Sequence, residues 1–438
     1  LIVPDIAASI STQRNLRPLF VAIGAALVSF LAYSSVYAFR KPFTAARFEG
    51  QIFAGVSYQT WLIISQVIGY MLSKFAGIRF IAELKRSGRF KTSVLLVGIS
   101  WLALLGLALV PAPYGVLFML INGFMLGFMW GIIFSYVEGR RATDFIGTVM
   151  AISFIFAGGF TRSVATWLMV KWSVSEPWMP FITGALFMLP LLLFLYLLER
   201  LPAPDKQDVQ ERVARMPMDK AQRRQFVRRF GKGLLLISGT YLFLTIMRDI
   251  RDNYMVNIWT ELGYGSDYGL FARTEIQTSL VLLAMMGLLS LIRKNRSAFR
   301  LIHLVILAGF ALAGITSILF IQGWLSGRLW MQLVGMGLYM SYIPFNCIFF
   351  ERMIAVFRLK GNVGFLIYIA DAFGYLGSVA IMLTREFLPI NPGWASFYAH
   401  SVIIAALISI AGILSSAFYF EHKYKILTWQ NNRDQLLS

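Results

Sequence analysis

Two arginines stand at the ends of strongly apolar runs. Arg40 follows "LFVAIGAALVSFLAY" in the stretch "SSVYAFRKPF", and Arg248 ends a second run in "LTIMRDIRDN". A guanidinium presents a planar fork of donors that fits a phosphate or carboxylate with two parallel hydrogen bonds, so two of them at membrane depth suit an oxyanion. The competing reading is an anchor, in which a long cation at a helix end carries its charge out to the interface. Hydropathy alone leaves both readings open for Arg40. Lys41 has no counterpart in the second stretch and reads as an anchor. Asp371, in "LIYIADAFGYLGS", lies in an apolar run with no basic residue close in sequence, and it precedes Tyr375 by four residues, on the same helix face. An acid at that depth is either a proton carrier or the partner of an arginine.

Other charges read more plainly. Asp249 directly follows Arg248 and is expected on a different side of the helix, where with Arg251 and Asp252 it forms a salt network. Glu138, Arg140 and Arg141 end one apolar run, and Glu351 and Arg352 end another. They are expected to be gate salt bridges that join two halves of the chain when the cytoplasmic side is closed. Arg162, after "AGGFT", reads as an outward snorkel in preference to a second anion contact. Gly123, Gly127 and Gly131, four apart, flatten one helix face for close packing. A single cysteine, Cys347, leaves no disulfide or cysteine metal cluster, and His303, His400 and His422 are scattered. No nucleophile with a base and no phosphate-cradling glycine loop stands at membrane depth, so neither an enzyme nor a cofactor is expected.

These residues must be carried by membrane helices. Of 438 residues, 58% are hydrophobic and 14% charged, well above the apolar share of a soluble domain. A span needs about 20 apolar residues, and roughly twelve runs qualify: near 18 to 41, 54 to 75, 91 to 111, 114 to 137, 145 to 170, 178 to 199, 231 to 256, 274 to 293, 299 to 321, 327 to 356, 361 to 385 and 394 to 420. The first is too long for the apolar region of a cleavable signal peptide, and because the sequence opens at Leu1 without Met, upstream residues are expected. A net charge of +19 raises nucleic acid as a partner. The cations, however, fall in short segments such as "EGRRATD", "IRKNRSAFR" and "EHKYK", while alternate segments such as "PAPYG" and "SVSEPW" lack them. That is the positive-inside pattern; it places both termini in the cytoplasm and favours anionic lipid at that face over nucleic acid.

The polar stretch 201 to 230 divides the runs evenly, giving an expected N-terminal bundle at 1–200, a linker at 201–230 and a C-terminal bundle at 231–438. Within the linker, "DKAQRRQFVRRF" reads either as a basic amphipathic helix on the membrane surface or as solvated chain. The halves look alike, since Arg40 and Arg248 occupy corresponding points and Glu138 parallels Glu351. Internal repeats of this kind suggest a secondary transporter.

Several short motifs resemble the major facilitator superfamily and, within it, the organophosphate:phosphate antiporter branch of glycerol-3-phosphate and hexose-phosphate transporters. "VYAFRKPFTAA" resembles the branch's first-helix motif, with Tyr37 three residues before Arg40. "IGYMLSKF" is similar to its second-helix motif, with Tyr70 four residues before Lys74. "TIMRDI", "SYIP" and "FGYLGS" stand where the branch has its seventh-helix arginine, tenth-helix tyrosine and eleventh-helix tyrosine, here Arg248, Tyr342 and Tyr375. The loop "GIRFIAELKRSGRFK" is similar to the superfamily's cytoplasmic signature but stretched, with Glu83 in place of aspartate. Two positions depart from the branch. Ile155 and Phe156 surround the place of its fifth-helix histidine, and Thr245 stands where a tyrosine precedes the second arginine.

The resemblance implies an all-α membrane protein of twelve helices in two pseudo-symmetric six-helix bundles. It implies Arg40, Arg248, Lys74, Tyr37, Tyr70, Tyr342 and Tyr375 as substrate ligands, with Arg40 opposite Arg248. The expected activity is alternating-access transport of a small phosphorylated anion in exchange for phosphate, by a monomer in a bacterial inner membrane. The departures leave room for a proton-coupled carboxylate carrier using Asp371, and for a non-transporting sensor of a sugar phosphate.

Overall fold

The computed structural model describes residues 4–84, 86–138, 140, 142–202, 220–265, 267–292, 294–357, 364–387 and 393–437, with side chains described from residue 20 onward and omitted at some helical positions, Glu351 among them. The described chain is almost wholly helical. Eight of its helices are long and apolar enough to cross a membrane by length and composition. It forms two compact units, Leu1–Phe43 with Ile68–Val213, and Thr44–Val67 with Ala214–Ser438.

The first unit contains α1 (Pro4–Tyr37), the later part of α2 (Tyr58–Glu83), α3 (Arg89–Leu109), α4 (Gly115–Leu126), α5 (Met129–Val137), α6 (Thr143–Trp172) and α7 (Met179–Glu199). Helix α1 stops at Tyr37, earlier than the run to residue 41 read from hydropathy. The cause is Pro42, which has no N–H to continue the ladder and disfavours helical geometry at Lys41. The amides of Arg40 and Lys41 instead turn back on the Tyr37 carbonyl at 3.0 and 2.9 Å, and a short 3-10 turn, Pro42–Ala45, follows. The Phe39 carbonyl left by this ending accepts from the buried Asn122 side chain of α4, which also donates to Ser100 of α3. The fourth run is two helices because the chain turns at Gly127 and Phe128. A Cβ on Gly127 would overlap Ser73 of α2, and one on Gly69 would overlap the Leu120 backbone of α4. Close packing of the Gly127 face is thus present, and Gly69 on α2 contributes from the other side.

The second unit contains the hairpin β1 (Ile52–Phe53) and β2 (Val56–Ser57), the opening turns of α2, then α8 (Lys220–Asn253), α9 (Met255–Glu261), α10 (Leu270–Ser290), α11 (Asn295–Ile321), α12 (Gly327–Pro344), a π-turn (Phe345–Phe349), α13 (Phe350–Phe357), α14 (Gly364–Glu386) and α15 (Trp394–Leu437). The hairpin corrects a span expected to begin at residue 54. Ala54 and Gly55 both have positive φ, 51° and 77°, as the tight turn joining two such strands requires, so α2 cannot start before Tyr58. The stretch "DKAQRRQFVRRF", read either as a surface helix or as solvated chain, takes neither form over its described residues. From Lys220 the chain is one continuous helix into the seventh run, with Phe226 and Phe230 buried. Residues 203–219 of the expected linker lie outside the described residues.

Within the second unit the end of β2 and the opening turn of α2 are fastened by a polar lattice. Gln59 and Asn257 exchange reciprocal amide bonds at 3.1 and 3.0 Å. The Glu386 carboxylate accepts from Ser57 at 2.8 Å and Thr60 at 2.6 Å, and the Thr60 hydroxyl also meets that of Tyr254 at 2.7 Å. Tyr254 stacks on Trp394 at 3.7 Å, and Arg385 lies 3.6 Å from the Trp394 ring.

Candidate functional site

In the first unit the turn after α1 swings Arg40 over α2. Its guanidinium carbon lies 3.9 Å from the centre of the Tyr70 ring and 5.6 Å from that of Tyr37. Lys74, one helical turn beyond Tyr70, brings its ammonium to 4.8 Å from the same ring. Two cations, one from the turn after α1 and one from α2, thus lie against one buried ring, an arrangement that cation–π attraction supports and that draws anions. The structure brings together Tyr37, Arg40, Tyr70 and Lys74. Tyr33, one turn before Tyr37, joins them with its ring 5.4 Å from Tyr37 and 5.0 Å from Trp130. The sequence reading passed over it, although the i, i+4 tyrosine spacing was a usable signal.

The second unit holds a differently balanced cluster. Arg248 lies 4.1 Å from the centre of the Tyr342 ring, within electrostatic range of Tyr375. Asp249, although it leaves α8 in a different direction, pairs with Arg248. Arg248 folds back along the helix and donates through Nε and Nη2 to Asp249 Oδ1, at 3.2 and 2.7 Å, because adjacent side chains this long can meet beside the backbone even when their Cβ atoms diverge. Ser378 of α14 donates to the second carboxylate oxygen at 3.1 Å. Asp371 accepts from the Tyr241 hydroxyl at 2.5 Å, and Asn346 donates to that hydroxyl at 3.1 Å. Tyr241 stacks on Tyr342 at 5.8 Å, which links the Asp371 group to the Arg248 group.

Tyr241, Asn346 and Ser378 were missed in the sequence. Tyr241 stands two turns before Arg248 on α8 and was legible by spacing. Asn346 was not, because Pro344 breaks the helical ladder and the following π-turn rotates the chain by an amount that spacing does not encode.

Arg251 and Glu275 form a further pair, Nη2 to Oε1 at 2.7 Å, with both side chains only 1% exposed. Gly335 of α12 admits the guanidinium, since a Cβ there would overlap it. Arg251 was expected in a salt network; its partner on α10 was not identified.

Two charged expectations are corrected. Lys41 is 4% exposed, so it is no interface anchor: the turn ahead of Pro42 folds it inward. Arg162 is fully buried and donates to the Gly158 carbonyl at 3.0 Å, so it does not snorkel outward. Of the expected gate residues, Glu138 is exposed at the end of α5, Arg140 donates to the Pro202 carbonyl, and Arg352 donates to Asn295 at 2.6 Å. Arg141 and the Glu351 side chain lie outside the described residues.

With eight helices long and apolar enough to cross a membrane among the described residues, this is an integral membrane protein, and its fold is that of solved transporters of the major facilitator type. A nucleoside transporter, NupG, is 16% identical with a TM-score of 0.59, over 92% of this chain and 99% of that one. The xylose transporter XylE from E. coli is 15% identical, TM-score 0.56, over 89% and 95%. A bacterial homologue of the human peptide transporters PepT1 and PepT2 is 13% identical, TM-score 0.61, over 94% and 99%. At these identities the likeness is one of fold. By sequence the chain belongs to a family of unknown function, DUF5690, whose model matches residues 42–423. No curated protein sequence matches it.

Proposed function

We propose that the chain is a secondary active transporter that moves an organic anion, a small phosphorylated molecule, by alternating access, with exchange for phosphate as its coupling mode. The observation that carries this reading is the pair of cations on one ring, Arg40 at 3.9 Å and Lys74 at 4.8 Å from the Tyr70 centre. A fork and a point charge held on an apolar, hydroxyl-tipped face are what a buried phosphate needs. Arg248, on the Tyr342 ring, is the corresponding guanidinium of the second unit. The test is counterflow in proteoliposomes of the purified chain. Loading with phosphate should accelerate uptake of a sugar or glycerol phosphate, and Arg40→Gln should abolish it. Phosphorylated ligands that bind without any flux would make the protein a sensor.

A second reading is favoured by the second unit's own acids. Asp249 balances Arg248, and Asp371 sits on the Tyr241 hydroxyl at 2.5 Å, a carboxyl and donor arranged as a proton relay would be. One similar structure is that of a D-xylose-proton symporter. On this reading a proton gradient, without phosphate inside, drives uptake of a carboxylate or another small solute, with Asp371 as the carrier.

A further inference from the structure

Helices α11, α13 and α15 of the second unit enclose a cavity of about 380 Å³ whose two ends differ in chemistry. At one end, the opening turns of α11 supply Arg296 and Arg300, and α15 supplies Glu421 and Tyr424. Glu421 accepts from Arg300 Nε at 3.0 Å and Nη2 at 2.6 Å and pairs also with Arg296. The Arg296 guanidinium lies 4.1 Å from the Tyr424 ring centre. Two guanidiniums therefore face one carboxylate, and the amide end of α11 adds positive potential. The other end is hydrocarbon, with Leu304, Leu414 and Phe418 on its wall, 58%, 41% and 75% exposed. His303 is a wall residue, its Nδ1 at 2.9 Å from the Phe299 carbonyl and its Nε2 at 3.4 Å from Ser416.

We propose that this cavity binds one anionic phospholipid, with its phosphate on Arg296 and Arg300 and an acyl chain along Leu304 and Phe418. The charge excess selects an anion. The open apolar end faces the bilayer, so an occupant whose polar group sits on the arginines and whose chain runs on into the hydrocarbon matches both ends at once. The size is that of a small-molecule site, enough for the glycerophosphate and the first part of a chain. The basic end marks where α11 and α15 meet the membrane surface, where anionic headgroups lie. The inference does not depend on the transport reading above.

Native mass spectrometry of the full chain from detergent micelles tests it, with phosphatidylglycerol or phosphatidylcholine added at equal mole fraction. Phosphatidylglycerol should be retained about tenfold better, because both lipids carry the phosphate but the choline cation of the other offsets its charge and is repelled by the two guanidiniums. The double variant Arg296→Gln, Arg300→Gln should erase that preference, and Arg224→Gln, Arg228→Gln should keep it. Glu421→Gln removes the carboxylate that competes for the arginines, so it should raise phosphatidylglycerol retention; a gain cannot come from misfolding. Equal retention of the two lipids, an unaltered preference in the double variant, or a loss in Glu421→Gln would overturn the proposal. So would displacement by millimolar glycerol phosphate, which would mark a soluble-anion site. A dimer broken by Leu414→Arg, with no lipid preference, would mark a contact between copies instead.

Discussion

At the scale of single residues, the chemistry of the two clusters rests on what a charge meets when it leaves water. Arg40 lies on Tyr70 and Arg248 on Tyr342, where ring attraction holds each guanidinium in place, and Arg248 is bound besides to the Asp249 carboxylate. Replacing Arg40 with lysine keeps the charge and loses the fork. Binding of a phosphorylated ligand should weaken by about 1.5 to 3 kcal/mol, read by calorimetry on protein whose melting temperature is unchanged; parental affinity would return Arg40 to a structural role. Asp371 gives the complementary experiment. Asp371→Asn keeps an acceptor for the Tyr241 hydroxyl and removes the exchangeable proton, so under the proton-coupled reading uptake should become independent of the pH gradient. Flux that still follows the gradient would leave Asp371 as a packing residue.

At the scale of elements, two ties carry the second unit. Arg251 of α8 and Glu275 of α10 are wholly buried together, and removing one member strands the other. Glu275→Ala should cost about 3 to 5 kcal/mol, whereas Arg251→Met with Glu275→Leu should recover most of it. Thermal unfolding in detergent measures both, and a single variant as stable as the parent would show that the pair is dispensable. The opening turn of α2 is tied to α9 by the Gln59 and Asn257 amides. Gln59→Leu leaves the Asn257 amide without that partner and should destabilise by about 1 to 3 kcal/mol, with Asn257→Leu in the same chain restoring part of the loss. Simple additivity of the two would mean that the amides do not couple. The helix endings belong to this scale too. Gly127 and Pro344 interrupt runs that hydropathy draws as continuous, and Pro42 ends α1 short of the run to residue 41; each lies beside a cluster residue.

At the scale of the whole molecule, the alternation of basic and charge-poor segments remains the basis for topology. In a Cys347→Ser background, a cysteine at Arg228 should react with an impermeant reagent only from the cytoplasmic side, and one at Asp267 only from the other. The reverse pattern would invert the chain in the membrane. The same charge distribution sets where anionic lipid gathers, so lipid composition and transport should be varied together in reconstitution.

The apolar runs, the cations between them and the short motifs around Arg40, Tyr70, Arg248 and Tyr342 determined the membrane class and the helical fold, because burial in hydrocarbon is a local demand that each segment meets alone. The pairings were decided only in three dimensions. Neighbour spacing set Asp249 apart from Arg248, yet the side chains meet; nothing in sequence joins Glu275 to Arg251, Tyr241 to Asp371, or Glu421 to Arg296 and Arg300. Lys41 and Arg162 read as outward-pointing because hydropathy sees depth along a helix and not its facing. Which side of a helix is turned to lipid, to protein or to a cavity is fixed by packing against neighbours distant in sequence, and that information exists only once the helices have come together.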